Sequence, residues 1–230
     1  MLPEIVLFDA GGIFYIPDHT IALNTAAKLG FSLDPSRIDA AHYKAAATFI
    51  DRPIDDDPHD RYWNDYLAAY ALAIGARVAQ HGDAVRELAS QFRAVPIWQR
   101  VIPGAVDGLW ALHRAGVRLG IVSNHDGTIE AMLRRDHIAQ VGAGGGVPVE
   151  VIVDSAVVGY RKPDPRIFNL ACRVLDIEPS NALYVGDMPA IDAVGARAAG
   201  MECVIMDPWG AHRANERYAT VRSIQALLER

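Results

Sequence analysis

Short apolar runs recur along this chain, and each ends in glycine or a polar turn former. Ile5-Val6-Leu7-Phe8 leads into Asp9-Ala10-Gly11-Gly12, and Leu119-Gly120-Ile121-Val122 leads into Ser123-Asn124. Val149 to Val153 ends at Asp154-Ser155, Ala182-Leu183-Tyr184-Val185 at Gly186-Asp187, and Met201 to Met206 at Asp207-Pro208. Runs this short, apolar at every position, predict strands buried on both faces. Between them the apolar residues fall at helical spacing: Val106-Leu109-Trp110-Leu112-His113, Ile129-Met132-Leu133, Ile167-Leu170-Ala171-Val174 and Ile191-Val194-Ala198. Strands alternating with helices predict an α/β chain whose parallel sheet is covered on both sides. Ser223 to Glu229 predicts a short closing helix.

Residues 16–98 break the alternation. Their spacing predicts helices over Thr20–Leu29, Ser36–Phe49, Arg61–Ile74 and Asp83–Arg93, with Pro17, Pro35 and Pro58 placed before the first three, and no strand. A helical block after the first strand reads as a second, smaller domain over the sheet edge. Asp55-Asp56-Asp57-Pro58 reads as a loop of solvated carboxylates. Gly144-Gly145-Gly146 precedes a strand instead of opening a helix, so it fails the dinucleotide fingerprint and predicts a flexible connector.

Composition narrows the function classes. At about 150 residues per domain, 230 residues imply one or two domains. With 51% hydrophobic and 22% charged residues, the chain can build a core without disulfides or a structural metal. A formal net charge of -6 argues against a non-specific nucleic-acid binder, while an anionic small substrate stays compatible because local charge decides that. No run reaches the roughly 18 apolar residues of a membrane span, and Met1-Leu2-Pro3-Glu4 lacks the basic start of a signal peptide. Cys172 and Cys203 form no metal-binding or redox pair and read as buried thiols, consistent with a cytoplasmic protein. The expected assembly is a monomer or homodimer, with neither nucleic-acid nor membrane partners.

Ligands of an open parallel sheet gather at the carboxyl ends of its strands. Asp9, Ser123, Asn124, Asp154 and Asp187 stand there, and Lys162, one of three lysines beside Lys28 and Lys44, follows in Gly159-Tyr160-Arg161-Lys162-Pro163-Asp164-Pro165. Each has a plainer role open to it. Asp9, Ser123 and Asn124 could satisfy turn amides, Asp187 could cap a helix, and Lys162 and Asp192 could lie in solvent. Together they describe an anion site with a divalent cation, since paired carboxylates suit Mg²⁺.

The stretches Phe8-Asp9-Ala10-Gly11-Gly12, Val122-Ser123-Asn124, Arg161-Lys162-Pro163-Asp164 and Val185-Gly186-Asp187 with Asp192 resemble, in order, the motifs of the haloacid dehalogenase-like (HAD) superfamily. The resemblance spans essentially the whole chain. It implies a Rossmann-like core over residues 1–15 and 99–230, with a helical cap over 16–98. It implies hydrolysis of a small phosphorylated substrate, with Asp9 as the nucleophile that forms an aspartyl-phosphate. Asp9, the Gly11 carbonyl and Asp187 would hold Mg²⁺, and Asp192 would support the metal or the lysine from behind. Ser123, amides around Asn124 and Lys162 would bind phosphate, with Lys162 neutralising charge on the nucleophile and the transferring group.

One position departs from the pattern. Family phosphatases usually carry a second Asp two residues after the nucleophile, and here that residue is Gly11. Loss of such a general acid–base is worth about 10²–10⁴ in rate. Tyr15, His19 or His125 could substitute, the substrate could have a leaving group that needs no proton, or the chemistry could differ. A dehalogenase would need a cap arginine, for which Arg37, Arg52 and Arg61 are available. A phosphonate hydrolase would need a cap lysine, Lys28 or Lys44. A phosphate-binding regulatory protein without turnover is the non-enzyme alternative.

Overall fold

A computed structural model of the chain describes residues 3–49, 58–94, 96–212 and 218–230. The elements in order are β1 (Ile5–Phe8), β2 (Tyr15–Pro17), α1 (His19–Leu29), α2 (Ile38–Ala46), α3 (Pro58–Ile74), α4 (His81–Ala94) and β3 (Trp98–Val101). Then come α5 (Ala105–Arg114), β4 (Arg118–Ser123), α6 (Ile129–Arg135), β5 (Ala139–Val141), β6 (Val147–Val149), β7 (Val151–Asp154), α7 (Ser155–Val158) and α8 (Pro165–Leu175). β8 (Ala182–Gly186), α9 (Asp192–Ala198), β9 (Glu202–Met206) and β10 (Ala219–Val221) complete the chain.

The main sheet has the order β10-β9-β8-β1-β4-β7, and every pairing in it is parallel. β1 lies inside it, with Phe8 level with Ile121 on one side and Val185 on the other. All four of its side chains are fully buried. That explains the unbroken apolar run, because a strand flanked by strands and covered on both faces has no polar side. One face packs Val6, Phe8, Leu109, Leu112 and Leu133, and the other packs Ile5, Leu7, Phe168, Ala171 and Tyr184. Cys172 and Cys203 are buried free thiols, and burial pushes Cys172 up to about 11, which makes it a poor nucleophile.

The chain leaves β1 for one side of the sheet and returns to the other, so the carboxyl ends of β1, β4 and β8 enclose a crevice at this switch. Asp9, Ser123 and Asp187 stand at those ends.

Helices α1 to α4 form a separate apolar cluster that includes Ile21, Ala41, Tyr66, Tyr70 and Leu88, and it reaches the core through Met188 and Ala190. Two short strands not expected from the sequence frame this block. β2 and β3 pair antiparallel, Tyr15 with Val101 and Ile16 with Arg100, and the pairing is continued by bonds from Asp18 N to Ile97 O (3.0 Å) and Ile102 N to Phe14 O (2.8 Å). Strands of three and four residues, paired across more than 80 positions and carrying a proline, leave no periodic trace.

Other expectations are corrected. The run from Val149 to Val153 is two strands, broken at Glu150, whose carboxylate is held by Arg118 (2.8 Å twice) while β6 pairs β5 and β7 pairs β4. The Gly144-Gly145-Gly146 stretch is a clamped turn, not a flexible connector. The buried Gln140 accepts from Gly146 N (2.7 Å) and donates to Gly146 O (2.9 Å), and a Cβ on Gly144 would lie 2.7 Å from Gln140. The expected helix over Ser36–Phe49 is α2 between two 3₁₀ turns, Pro35–Arg37 and Ala47–Phe49. The closing helix is a 3₁₀ turn over Gln225–Glu229. Asp55, Asp56 and Asp57 lie outside the described residues. Among those described, no helix is long and apolar enough to cross a membrane.

Phe168 is fully buried and meets the Tyr184 ring edge-on at 4.9 Å. Phe168→Ala should cost about 3–5 kcal/mol of unfolding free energy, read from the shift of a denaturant midpoint.

Candidate active site

The crevice opens into a cavity of about 790 Å³. Asp9, Ser123, Lys162 and Asp187 line it from the ends of the sheet strands and the loops after them, and Tyr62, Trp63 and Trp98 from α3 and β3. Of the residues singled out in the sequence, Asp9, Gly11, Ser123, Asn124, Lys162, Asp187 and Asp192 all border it.

Lys162 organises the site. Its buried ammonium has three protons and three partners: Asp9 Oδ2 at 2.7 Å, Asp192 Oδ1 at 2.7 Å and the Tyr184 hydroxyl at 2.8 Å. The Tyr184 hydroxyl in turn donates to the Val122 carbonyl at 2.9 Å. Burial works against the lysine's charge, but Asp192 and Asp9 outweigh it and hold the pKa above its ordinary value. The backbone of Lys162 is clamped by Asn124, which accepts from Lys162 N (2.7 Å) and donates to Lys162 O (2.9 Å). The Asn124 side chain thus places the lysine.

Asp192 is fully buried, not solvated, and its second oxygen accepts from Asp187 N (3.1 Å) and Met188 N (2.9 Å). The bend it shapes depends on Gly186, where a Cβ would lie 2.3 Å from the Asp192 carboxyl. Asp187 does not cap α9, whose first turn is preceded by Ile191. It packs over Gly12, where φ is +67° and a Cβ would fall 2.2 Å from the Asp187 carboxyl carbon, so only glycine lets the two loops approach. Asp154, at the end of β7, faces the loops instead of the cavity. It accepts from Ala156 N (3.0 Å) and Gly127 N (2.9 Å).

One oxygen from each of Asp9, Asp187 and Asp192 lies within 4.8 Å of the others. Burial, aided by the charges of Asp192 and Asp187, pushes Asp9 up to about 7 despite Lys162. Burial raises Asp187 as well, with His42 pulling the other way. Crowded carboxylates in a buried site carry more negative charge than one ammonium balances. Asp192 lies fully buried behind Lys162 and the loop amides, while the Asp9 side chain keeps 14% of its exposure and Asp187 stands beside it at the cavity. Their all-oxygen donor set fits a small, hard divalent cation.

The sequence did not single out His42. It comes from α2, is fully buried, and sits with Nε2 2.8 Å from Asp187 Oδ2 and Nδ1 2.9 Å from the Tyr66 hydroxyl. Its signal was an ionisable residue four positions after Ile38, on the apolar face of a helix. Of the three residues considered as substitute acids, Tyr15 and His125 line the cavity and His19 does not. The Tyr15 hydroxyl donates to Asp136 (2.8 Å), and His19 is paired with Asp39 (2.6 Å), while His125 lines the cavity with Nδ1 2.8 Å from Asp126. Arg37 is exposed before α2, Lys44 is exposed, and Lys28 pairs with Glu87, so none of the three lines the cavity. Arg52 and the side chain of Arg61 lie outside the described residues.

A parallel α/β sheet with acidic groups and a lysine at its switch point defines a class of hydrolase cores, and sequence comparison specifies which. A family model described as haloacid dehalogenase-like hydrolase matches residues 4–200. The chain belongs to this family. It is 31% identical over 147 residues to the haloacid dehalogenase-like hydrolase domain-containing protein 3 of Bos taurus, covering 64% of this chain and 55% of that protein. The chain thus spans about half the length of that relative. It is 29% identical over 234 residues to the ribulose-1,5-bisphosphate 5-phosphatase of Halopiger xanaduensis, covering 98% of this chain and 91% of that one. The crystal structure of a HAD phosphatase from Thermococcus onnurineus superimposes with a TM-score of 0.57 at 21% identity, covering 98% and 96% of the two chains, a likeness of fold.

The raised Asp9 pKa makes a signed prediction for the metal-free protein. Between about pH 4 and pH 7 the folded state keeps a proton on Asp9 that the unfolded chain has released, so stability falls as pH rises through this window. Asp9→Asn should therefore melt higher than the wild type above pH 7, with the gap closing toward pH 4. Equal melting temperatures at pH 8 would show that Lys162 already compensates the charge in full.

Proposed function

We propose that the protein is a Mg²⁺-dependent phosphatase of a small phosphorylated metabolite, acting through an aspartyl-phosphate on Asp9. The observation that carries this reading is the Asp9–Lys162–Asp192 chain of contacts at 2.7 Å beside a second cavity-facing carboxylate, Asp187. The name of the Halopiger relative, a phosphatase aligned over 98% of this chain, agrees with it.

In this reading Asp9, the Gly11 carbonyl and Asp187 hold the cation. When bound, it supplies positive charge between the carboxylate and the incoming phosphate, two anions that otherwise repel. Ser123, amides around Asn124 and Lys162 bind the phosphate oxygens. An Asp9 oxygen attacks phosphorus, a P–O bond to the leaving group breaks, and the leaving oxygen carries away the electron pair. Water then attacks phosphorus, and Asp9 departs as carboxylate with release of inorganic phosphate. Ala10 N donates to Asp9 Oδ1 at 2.7 Å, which turns the other oxygen toward Lys162. Residues 16–98 act as a cap over the core of 1–15 and 99–230, and their aromatic side chains shield the site from water.

The missing acid shapes the substrate range. A Cβ on Gly11 would touch the Trp98 ring at 3.6 Å, so the position where relatives place a carboxyl is faced here by an indole. Substrates whose leaving group departs without a proton, such as acyl or aryl phosphates, suit this site.

Rates should fall steeply with rising leaving-group pKa, p-nitrophenyl phosphate exceeding a simple alkyl phosphate by about 10²-fold or more. A flat dependence would point to a resident acid such as His125. Asp9→Asn and chelation of divalent cations should each abolish phosphate release. Turnover of haloacids that survives chelation would replace this reading with dehalogenation.

A further inference from the structure

The helical insertion touches the metal-binding side of the site with two adjacent residues of one helix. His42 meets Asp187, and Tyr43, the next residue of α2, donates its hydroxyl to the Gly12 carbonyl at 2.7 Å. The two loops so contacted are those that carry the proposed cation ligands: Asp187 itself, and the Asp9-Ala10-Gly11-Gly12 turn. We propose that His42 is a positioning residue that orients Asp187 for the cation, so that cation binding and docking of α2 are coupled. The proposal rests on the cation site described under the proposed function.

The chemistry follows from the hydrogen-bond roles. An ionised carboxylate only accepts, so the proton facing Asp187 Oδ2 belongs to His42 Nε2, and Nδ1 is left to accept from the Tyr66 hydroxyl. That Tyr66–His42–Asp187 chain fixes both the tautomer and the ring. The ring is further boxed by Trp98 at 5.1 Å and Tyr43 at 4.8 Å, both edge-on. His42 does not line the cavity, and its hydrogen bond toward the site goes to Asp187. With Oδ2 held from behind, Asp187 presents its other oxygen forward, the arrangement by which supporting hydrogen bonds raise metal affinity. Because the support comes from the insertion and not from the sheet, whatever affinity α2 lends the cation, the cation returns to the docking of α2.

The test is titration of Mn²⁺, and separately Mg²⁺, into the full chain by calorimetry, for wild type and His42→Leu, His42→Gln and His42→Asn, with deuterium exchange of residues 38–46 with and without Mg²⁺. Glutamine can bring an amide N–H to the Nε2 position, and asparagine is one methylene short. The expected result is a Kd raised about 10–100-fold in His42→Leu and His42→Asn, and within about threefold of wild type in His42→Gln. Mg²⁺ should slow exchange of 38–46 in wild type and His42→Gln only. If His42→Leu does not fold, the Gln and Asn variants decide, and equal affinities of those two overturn the proposal. Wild-type affinity in a folded His42→Leu overturns it while leaving the phosphatase reading intact. A wild type that binds neither ion removes the cation site and this inference with it.

Discussion

The ammonium of Lys162 is the point on which the site depends. It is buried where a lone charge would be strongly disfavoured, and it stays charged because two carboxylates and a phenol take all three of its protons. Removing Asp192 would leave the buried ammonium with only Asp9, itself pushed toward neutrality, for countercharge. The same contacts set geometry: Asp192 ties the lysine to the bend after β8, Asn124 ties its backbone to the end of β4, and Asp9 closes the link to β1. Three neighbouring strands of the sheet are thereby joined at their carboxyl ends by one residue.

This arrangement is short of positive charge. Asp9, Asp187 and Asp192 crowd one region, and the Lys162 ammonium is placed between Asp9 and Asp192. Burial is the main cause that pushes Asp9 and Asp187 up, and the neighbouring carboxylates add to it. A cation between the two cavity-facing acids would relieve their crowding, and an incoming phosphate would then enter a field no longer hostile to anions. Backbone packing makes room for the crowding, since Gly12 and Gly186 stand where any side chain would collide with Asp187 and Asp192.

Helices α1 to α4 pack against residues beside the site as well as against one another. Their apolar cluster reaches down to Met188 and Ala190, next to Asp187, and the β2–β3 ribbon ties the entry of this block to its exit. Trp98, on that ribbon, faces Gly11, so the residue that departs from the family pattern lies under an aromatic wall. Tyr62 and Trp63 line the same cavity.

The alternation of apolar runs and helical spacings was enough to read the parallel sheet, because burial on both faces leaves an unbroken apolar signature at β1, β4 and β8. The strand-end residues Asp9, Ser123 and Asp187 were legible for the same reason: in this architecture, sequence position at a strand end is also spatial position at the crevice. Lys162 was legible as a rare lysine shortly after a strand end, and Asp192 as a member of an ordered set of motifs, since nothing local marks either as buried. His42, the Trp98 wall over Gly11, the β2–β3 ribbon and the break at Glu150 were decided by tertiary structure. Each rests on a contact between segments far apart in the chain, and periodicity records which face of an element is buried but not what it is buried against.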